Sequence, residues 1–510
     1  MNFRLPKTRR YRVLLYIMST FLVLLAIDMI WARIWRHISV SPETTHITSP
    51  LKPDGTPDFL AFINDQTSLG VTQENNAAIP FVMALTPTRH DENDKEIVMK
   101  ELYERLNITP PAVPLKSVSF DSYLQNKNKD QTSDARNKAD ELIRLHPWSP
   151  AEHPDAVAWL RESKPMLDAL PEITSRPRWF MPAISHNGLL ISVLLPWLSE
   201  ARNLCNIALS RAMMNIHEGH FADAQTDIIA CHKLGRLFAQ NWTLIDYLVG
   251  TAIDNAALQA DATFVSAPNL PAEARRQFIT QIDALAPFPT QTHPLEFERY
   301  AILDCLIFSA QHPVQAISMI RDVEGGESAA LPDWLIGLGA ALHPAHYNAV
   351  LRKVNVFYDG FIQASKAPGT IEREKLLAQV EANASIFSSG AAGPLGDPSS
   401  RFASLLIPAL HHAFQIEESH DMNISLARIS LALASYHADK GAYPVTLAPL
   451  APEYIPAIPT DAFTEEPLHY KADAGGYLLY SVGPNRKDDG GQPHDNTHGT
   501  DYDLVFKMPN

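Results

Sequence analysis

Apolar residues recur along most of this chain at intervals of three and four, and the departures are concentrated at its two ends. From Asn203 to His217 they fall at Leu204, Ile207, Ala208 and Met213, and from Ala222 to Gln240 at Ala224, Ile228, Cys231, Leu234 and Phe238. That is the helical period, so it predicts two amphipathic helices joined by a turn at Gly219. Trp242 to Ala262 is more evenly apolar and predicts a third helix buried on most sides. Leu295–Ala310 and Pro344–Lys366 continue the helical signal. Upstream, Asp58–Asn64 reads as a short helix, and a second is expected to open at a Thr72 cap. A further helix is expected over Asp94–Leu106, after which the Pro-, Ser- and Lys-rich chain to about Asn137 reads as irregular. Ser388–Ser400 reads as a flexible break.

The N-terminal end departs by losing its polar positions. Val13 to Ile27 carries no charge, and the run continues to Ala32, enough residues to cross hydrocarbon at about 1.5 Å each. Arg4, Lys7, Arg9, Arg10 and Arg12 precede it, while only Arg33 and Arg36 follow closely. This imbalance places the N-terminus in the cytoplasm and the bulk outside, and Trp31 and Trp35 suit the outer interface. No A-x-A site follows, which favours an uncleaved anchor over a signal peptide. The expectation is a single-pass inner-membrane protein: cytoplasmic tail 1–10, lipid-embedded anchor 11–32, and a polar linker 33–57 that lifts the body off the membrane.

The C-terminal end departs by changing period. Leu426, Ile429, Leu433 and Tyr436 line one face of a helix that should stop at Lys440-Gly441. Leu468–Lys471 and Tyr477–Val482 then alternate as strands, with Gly475-Gly476 as the turn, and Asp503–Lys507 makes a last short strand. Tyr436, Asp439, Gly441, Tyr443 and Pro444 form Y-x-x-D-x-G-x-Y-P, Pro459–Phe463 forms P-x-D-x-F, and Tyr477–Gly483 forms Y-x-x-x-S-x-G. In that order these motifs resemble the C-terminal domain of the major pseudopilin of type II secretion systems, over about the last ninety residues. The resemblance implies a calcium ion in the acidic loop before the last strand. The residues themselves add a physical case, because Asn485, Asp488, Asp489, Asp495, Asp501 and Asp503 crowd one loop and its carboxylates repel one another without a cation. Asp488, Asp489, Asp501, Asp503, Asn485 and the Val482 carbonyl are the expected ligands; the competing reading is an ordinary solvated turn. Residues 1–28 lack the processing motif that opens a pseudopilin, so the module reads as borrowed and not as a polymerising subunit.

The Gly219 hairpin is similar to a tetratricopeptide pair, with no second copy at a fixed interval. The chain as a whole resembles a group of bacterial envelope proteins for which no activity is established. The expected architecture is mainly α: short helices and an irregular segment over 58–138, an all-α bundle over 139–415, and a small α+β pseudopilin-like domain over 416–510. Composition narrows the functional classes. A net charge of −15 argues against nucleic acid, and 39 prolines against 22 glycines suit Pro-jointed helices and not a phosphate-binding α/β fold. Cys205, Cys231 and Cys305 are too scattered for a disulfide framework and read as buried.

Catalytic patterns are weak. His217-Glu218-Gly219-His220 has the wrong spacing for a zinc motif, which needs both histidines on one helical face four residues apart. Glu296, Glu298 and Asp304 read as a solvated helix face. The leading expectation is a non-catalytic, periplasmic-facing envelope protein whose calcium-binding module engages envelope or secretion components. The alternative is an envelope-polymer hydrolase with catalytic carboxylates in the helical domain.

Overall fold

The computed structural model describes residues 37–85, 92–111, 115, 117–312, 315, 347–388, 398–473, 475–492 and 502–508. The expected anchor at 11–32, Asp495, Asp501 and residues 389–397 of the expected break lie outside them. Among the described residues no helix is long and apolar enough to cross a membrane. The described chain is mainly helical, with fifteen α-helices and one small sheet.

The helices are α1 (Phe59–Thr67), α2 (Ala78–Ala84), α3 (Glu92–Leu106), α4 (Phe120–Lys127), α5 (Ser133–Leu145), α6 (Pro154–Glu162) and α7 (Lys164–Ser175), then α8 (Leu198–Glu218), α9 (Phe221–Phe238) and α10 (Leu244–Val265). They continue as α11 (Ala272–Asp283), α12 (Thr292–Gln311), α13 (Tyr347–Ser365), α14 (Thr370–Ser388) and α15 (Pro398–Lys440). Strands β1 (His469–Ala472), β2 (Tyr477–Ser481) and β3 (Leu504–Met508) form an antiparallel sheet in the order β1-β2-β3.

The helical hairpin forms as its period predicts. Gly219 closes α8 at φ +78°, where the missing Cβ removes the penalty of the left-handed region. Glu218 and His220 pair across that exposed turn at 3.6 Å. The three cysteines are free and buried.

Several expectations need correction. The 107–137 stretch is not irregular: Ser119 accepts from the Ser122 N–H and Thr132 from the Ala135 N–H, so each starts a helix, α4 and α5. Thr72 accepts from the Asn75 N–H, but this closes only a turn, and the helix begins at Ala78. The polar segment at 37–57 is not a spacer but is bound to the body. Asn355 donates to the Glu43 and Thr44 carbonyls at 3.0 Å each, Asn348 joins the Ser39 N–H and the His37 carbonyl, and Ile47 enters a core.

Three apolar cores share one element. The largest joins α2 to α11, the second gathers α12, α13 and α14 with residues 47–63, and the third seats the sheet against α10. Helix α15 enters all three, through Leu431 and Ala434, through Leu410, Ala413 and Phe414, and through Met422, Leu426, Ile429 and Leu433 respectively. The expected boundary at 415/416 therefore falls inside a continuous 43-residue helix. Gly441, at φ +76°, ends it as expected.

Candidate functional site: a buried charged network beneath the long helix

Helix α10 is buried along most of its length, yet it carries Asp246, Asp254 and Asp261 among its buried residues. Carboxylates taken from water need partners. Asp254 and Asp261 are seven residues apart and so share one face, which turns toward α9. The two helices approach unusually closely there. A Cβ on Gly235 would stand 2.7 Å from the Gly250 carbonyl oxygen, and one on Gly250 would stand 2.5 Å from that of Gly235. This close approach lets short aspartate side chains reach the next helix.

His232 of α9 lies between them. Its Nδ1 is 2.7 Å from Asp254 Oδ1 and its Nε2 is 3.1 Å from Asp261 Oδ1. Burial alone would depress the imidazole, but the carboxylates of Asp261 and Asp254 outweigh it and push it up to about 10. Arg236, one turn on, also pairs with Asp254. Burial works to raise the Asp254 carboxyl, yet His232, His420 and Arg236 together hold it well below the usual carboxylate range. Among the described residues the His232 imidazole is the one group hydrogen-bonded to Asp261, and burial carries its carboxyl upward.

The long helix completes the network. His420 of α15 brings Nε2 to 3.3 Å from Asp254 Oδ2, and its Nδ1 meets Asn255 at 3.0 Å. One turn before, Glu417 accepts from the Tyr247 hydroxyl at 3.1 Å and from Gln291 Nε2 at 2.6 Å. Arg373 of α14 stands 3.6 Å from both Glu417 and Glu418. One guanidinium thus faces two carboxylates, and burial pushes Glu418 up to about 7. Both His232 and His420 are about 1% exposed, so no substrate reaches them. The network can hold protons and lock helices together; it offers no open nucleophile.

The acids of α12 are likewise not a solvated face. Asp304 accepts from Lys52 at 3.3 Å and from the Leu190 N–H at 2.9 Å. Glu296 lies beside the fully buried Arg299, and Glu298 accepts from the Leu244 N–H while burial lifts it to about 7. The reason for the correction is that α12 is packed on nearly every side, so each acid is matched to a separate partner.

Of the expected calcium ligands, the structure brings three together. Asn485 Nδ2 donates to Asp489 at 2.8 Å, and the Asp489 N–H donates to Asp503 at 3.4 Å. Asp503 is buried and also accepts from the Gly491 N–H at 2.7 Å, tying the loop to β3. Burial raises its carboxyl against these backbone donors. Asp488 turns elsewhere: its carboxylate accepts from the Tyr480 hydroxyl at 2.9 Å and lies 3.7 Å from His469. The Val482 N–H donates to Asp461 at 2.9 Å, and Asp461 also accepts from the Phe463 N–H. Among the described residues no cluster of three or more His, Cys, Asp or Glu is arranged to hold a metal.

Sequence reasoning passed over His232, Asp254, Asp261, Glu417 and Arg373. The available signal was three aspartates in a mostly apolar helix; a buried acid in such a helix requires a partner. No protein-family model, curated protein or solved structure matches this chain.

Proposed function

We propose that this chain is a membrane-tethered, extracytoplasmic scaffold without catalytic chemistry of its own. Its pseudopilin-like C-terminal module binds calcium and engages envelope or secretion components, and its α8–α9 pair is a tetratricopeptide-like hairpin. The tether is the uncharged Val13–Ile27 run with its basic N-terminal flank. The observation that carries the reading is the meeting of Asn485, Asp489 and Asp503 between the end of β2 and the start of β3. The two carboxylates there offer hard donors of the kind calcium takes, and Asp501 lies two residues before Asp503 in the sequence. The motif residues support this placement: Asp461 secures the end of β2, and a Cβ on Gly483 would strike the Tyr502 carbonyl oxygen at 2.5 Å.

Calorimetric titration of the full chain in detergent micelles, stripped of metal and then given calcium chloride, tests the module. Saturable heat and a raised melting temperature are expected, both lost in Asp489→Ala. Titration without heat and without thermal shift overturns it. Crosslinking from membranes then tests the partner class, with secretion-apparatus subunits the expected product.

The hydrolase reading draws on Asp246, a buried acid lining a cleft, lifted by its burial to about 6. Cleavage of a glycosidic bond takes two carboxyls flanking that bond. Among the described residues lining this cleft Asp246 is the one carboxyl, which favours the scaffold.

A further inference from the structure

An open-mouthed cavity of about 30 Å³ lies where α1, the 179–198 segment, the start of α10 and α12 meet. Its walls are mainly apolar and include five aromatic side chains, Trp179, Trp197, Phe238, Trp242 and Phe297. Asp246 lines it as well and is 4% exposed. One carboxylate oxygen, Oδ2, accepts from Asn241 Nδ2 at 2.7 Å and from the Thr243 hydroxyl. That hydroxyl in turn accepts the Asp246 N–H at 3.0 Å, so Thr243 and Asp246 together cap the first turn of α10.

Capping accounts for one oxygen of the two. Among the described residues Oδ1 accepts no hydrogen bond, and no cation pairs with the carboxyl. A buried acid normally has a charged partner, as Asp227 has Arg211 and Asp304 has Lys52 in this same chain. Asp246 has instead a hollow with aromatic side chains among its walls, and aromatic rings attract cations. Both features select for a cation carrying N–H donors. The small volume selects for one such group on a thin stem and excludes a large planar ligand.

We propose that the cavity beside Asp246 binds a primary ammonium group carried on a short alkyl chain. The ammonium donates to Oδ1 and rests against the indole faces, and its stem leaves through the open mouth. The three tryptophans in the wall make intrinsic fluorescence a direct readout.

The test titrates the full chain, in detergent micelles, with n-butylammonium chloride and in parallel with n-butanol, following tryptophan emission and heat. The ammonium is expected to bind at least about tenfold more tightly than the alcohol of equal length, since only it gains the charge-assisted bond. Asp246→Asn keeps the size and the capping acceptor, and it should bring the two ligands to within about twofold. Equal affinities in the unaltered chain overturn the proposal, and so does a preference that survives Asp246→Asn. Ala183→Leu adds bulk at another lining residue and leaves the acid intact. Should Asp246→Asn fail to fold, loss of ammonium binding in Ala183→Leu sustains the assignment, and retained binding refutes it.

Discussion

His232, held between two carboxylates and away from water, behaves as a fixed positive charge with measurable consequences for stability. Its folded pKa stands near 10 against an ordinary 6.5, so the folded state keeps a proton that the unfolded chain releases. The stabilisation is therefore complete below about 6.5 and drains away as pH climbs toward 10. Glu418 acts with the same sign at lower pH. Its folded carboxyl, near 7 against 4.5, binds a proton the unfolded chain has lost, so stability falls as pH rises from about 4.5 to 7. Glu418→Gln removes that charge and leaves Arg373 paired with Glu417. The variant should be more stable than the parent at pH 8 by on the order of 1–3 kcal/mol, with the slope between pH 4.5 and 7 flattened. Urea unfolding across that range measures it, and a less stable variant at pH 8 refutes it. Asp254→Asn should do the reverse, costing about 3–5 kcal/mol, because it takes from the buried His232 one of its two carboxylates and from Arg236 its ion-pair partner.

Helix pairing is where the sequence was most and least informative. An evenly apolar run identified α10, and the three-four spacing identified α8 and α9, because one buried face suffices to generate it. It could not show that α9 and α10 lie nearly in backbone contact, since Gly235 and Gly250 read singly as weak helix positions. Gly235→Ala should force the pair apart, because the added methyl meets the Gly250 carbonyl and not a flexible side chain. A loss of roughly 2–4 kcal/mol is expected, with His232 exchange protection falling in step. The 37–57 segment makes the complementary point. Its polar, aperiodic composition suits a tether, and nothing local reveals that Asn355, some three hundred residues on, receives its carbonyls. Asn355→Ala should free it, so hydrogen exchange over 37–50 should rise at least about tenfold while α8–α10 stay protected. Unchanged exchange there would show that Ile47 and the buried threonines hold the segment unaided.

At the scale of the molecule, α15 decides whether the C-terminal module is a separable part. The alternating strands and the Gly441 stop were legible because they follow local rules, and they suggested a unit beginning near residue 416. The network was not legible, because its members come from α9, α10, α14, α15 and the residue before α12, which meet only in the fold. Cutting at 416 would leave Glu417, Glu418 and His420 without their partners. It would also expose the faces of Met422, Leu426 and Leu433 that share a core with Leu258 and Ala262 of α10. Residues 416–510 expressed alone should therefore show no cooperative thermal transition and should bind a hydrophobic dye, whereas the full chain melts cooperatively. Adding Leu244–Val265 in trans should restore a transition if the shared core is what is missing. A sharp, reversible melt of 416–510 alone would mean that the sheet and its half-helix suffice. In that case the acid–base network merely docks the module. If the prediction holds, α15 is the element through which any ligand of the acidic loop reaches the helical body, since the residues that order the sheet and those that pair with Asp254 lie on one rigid rod.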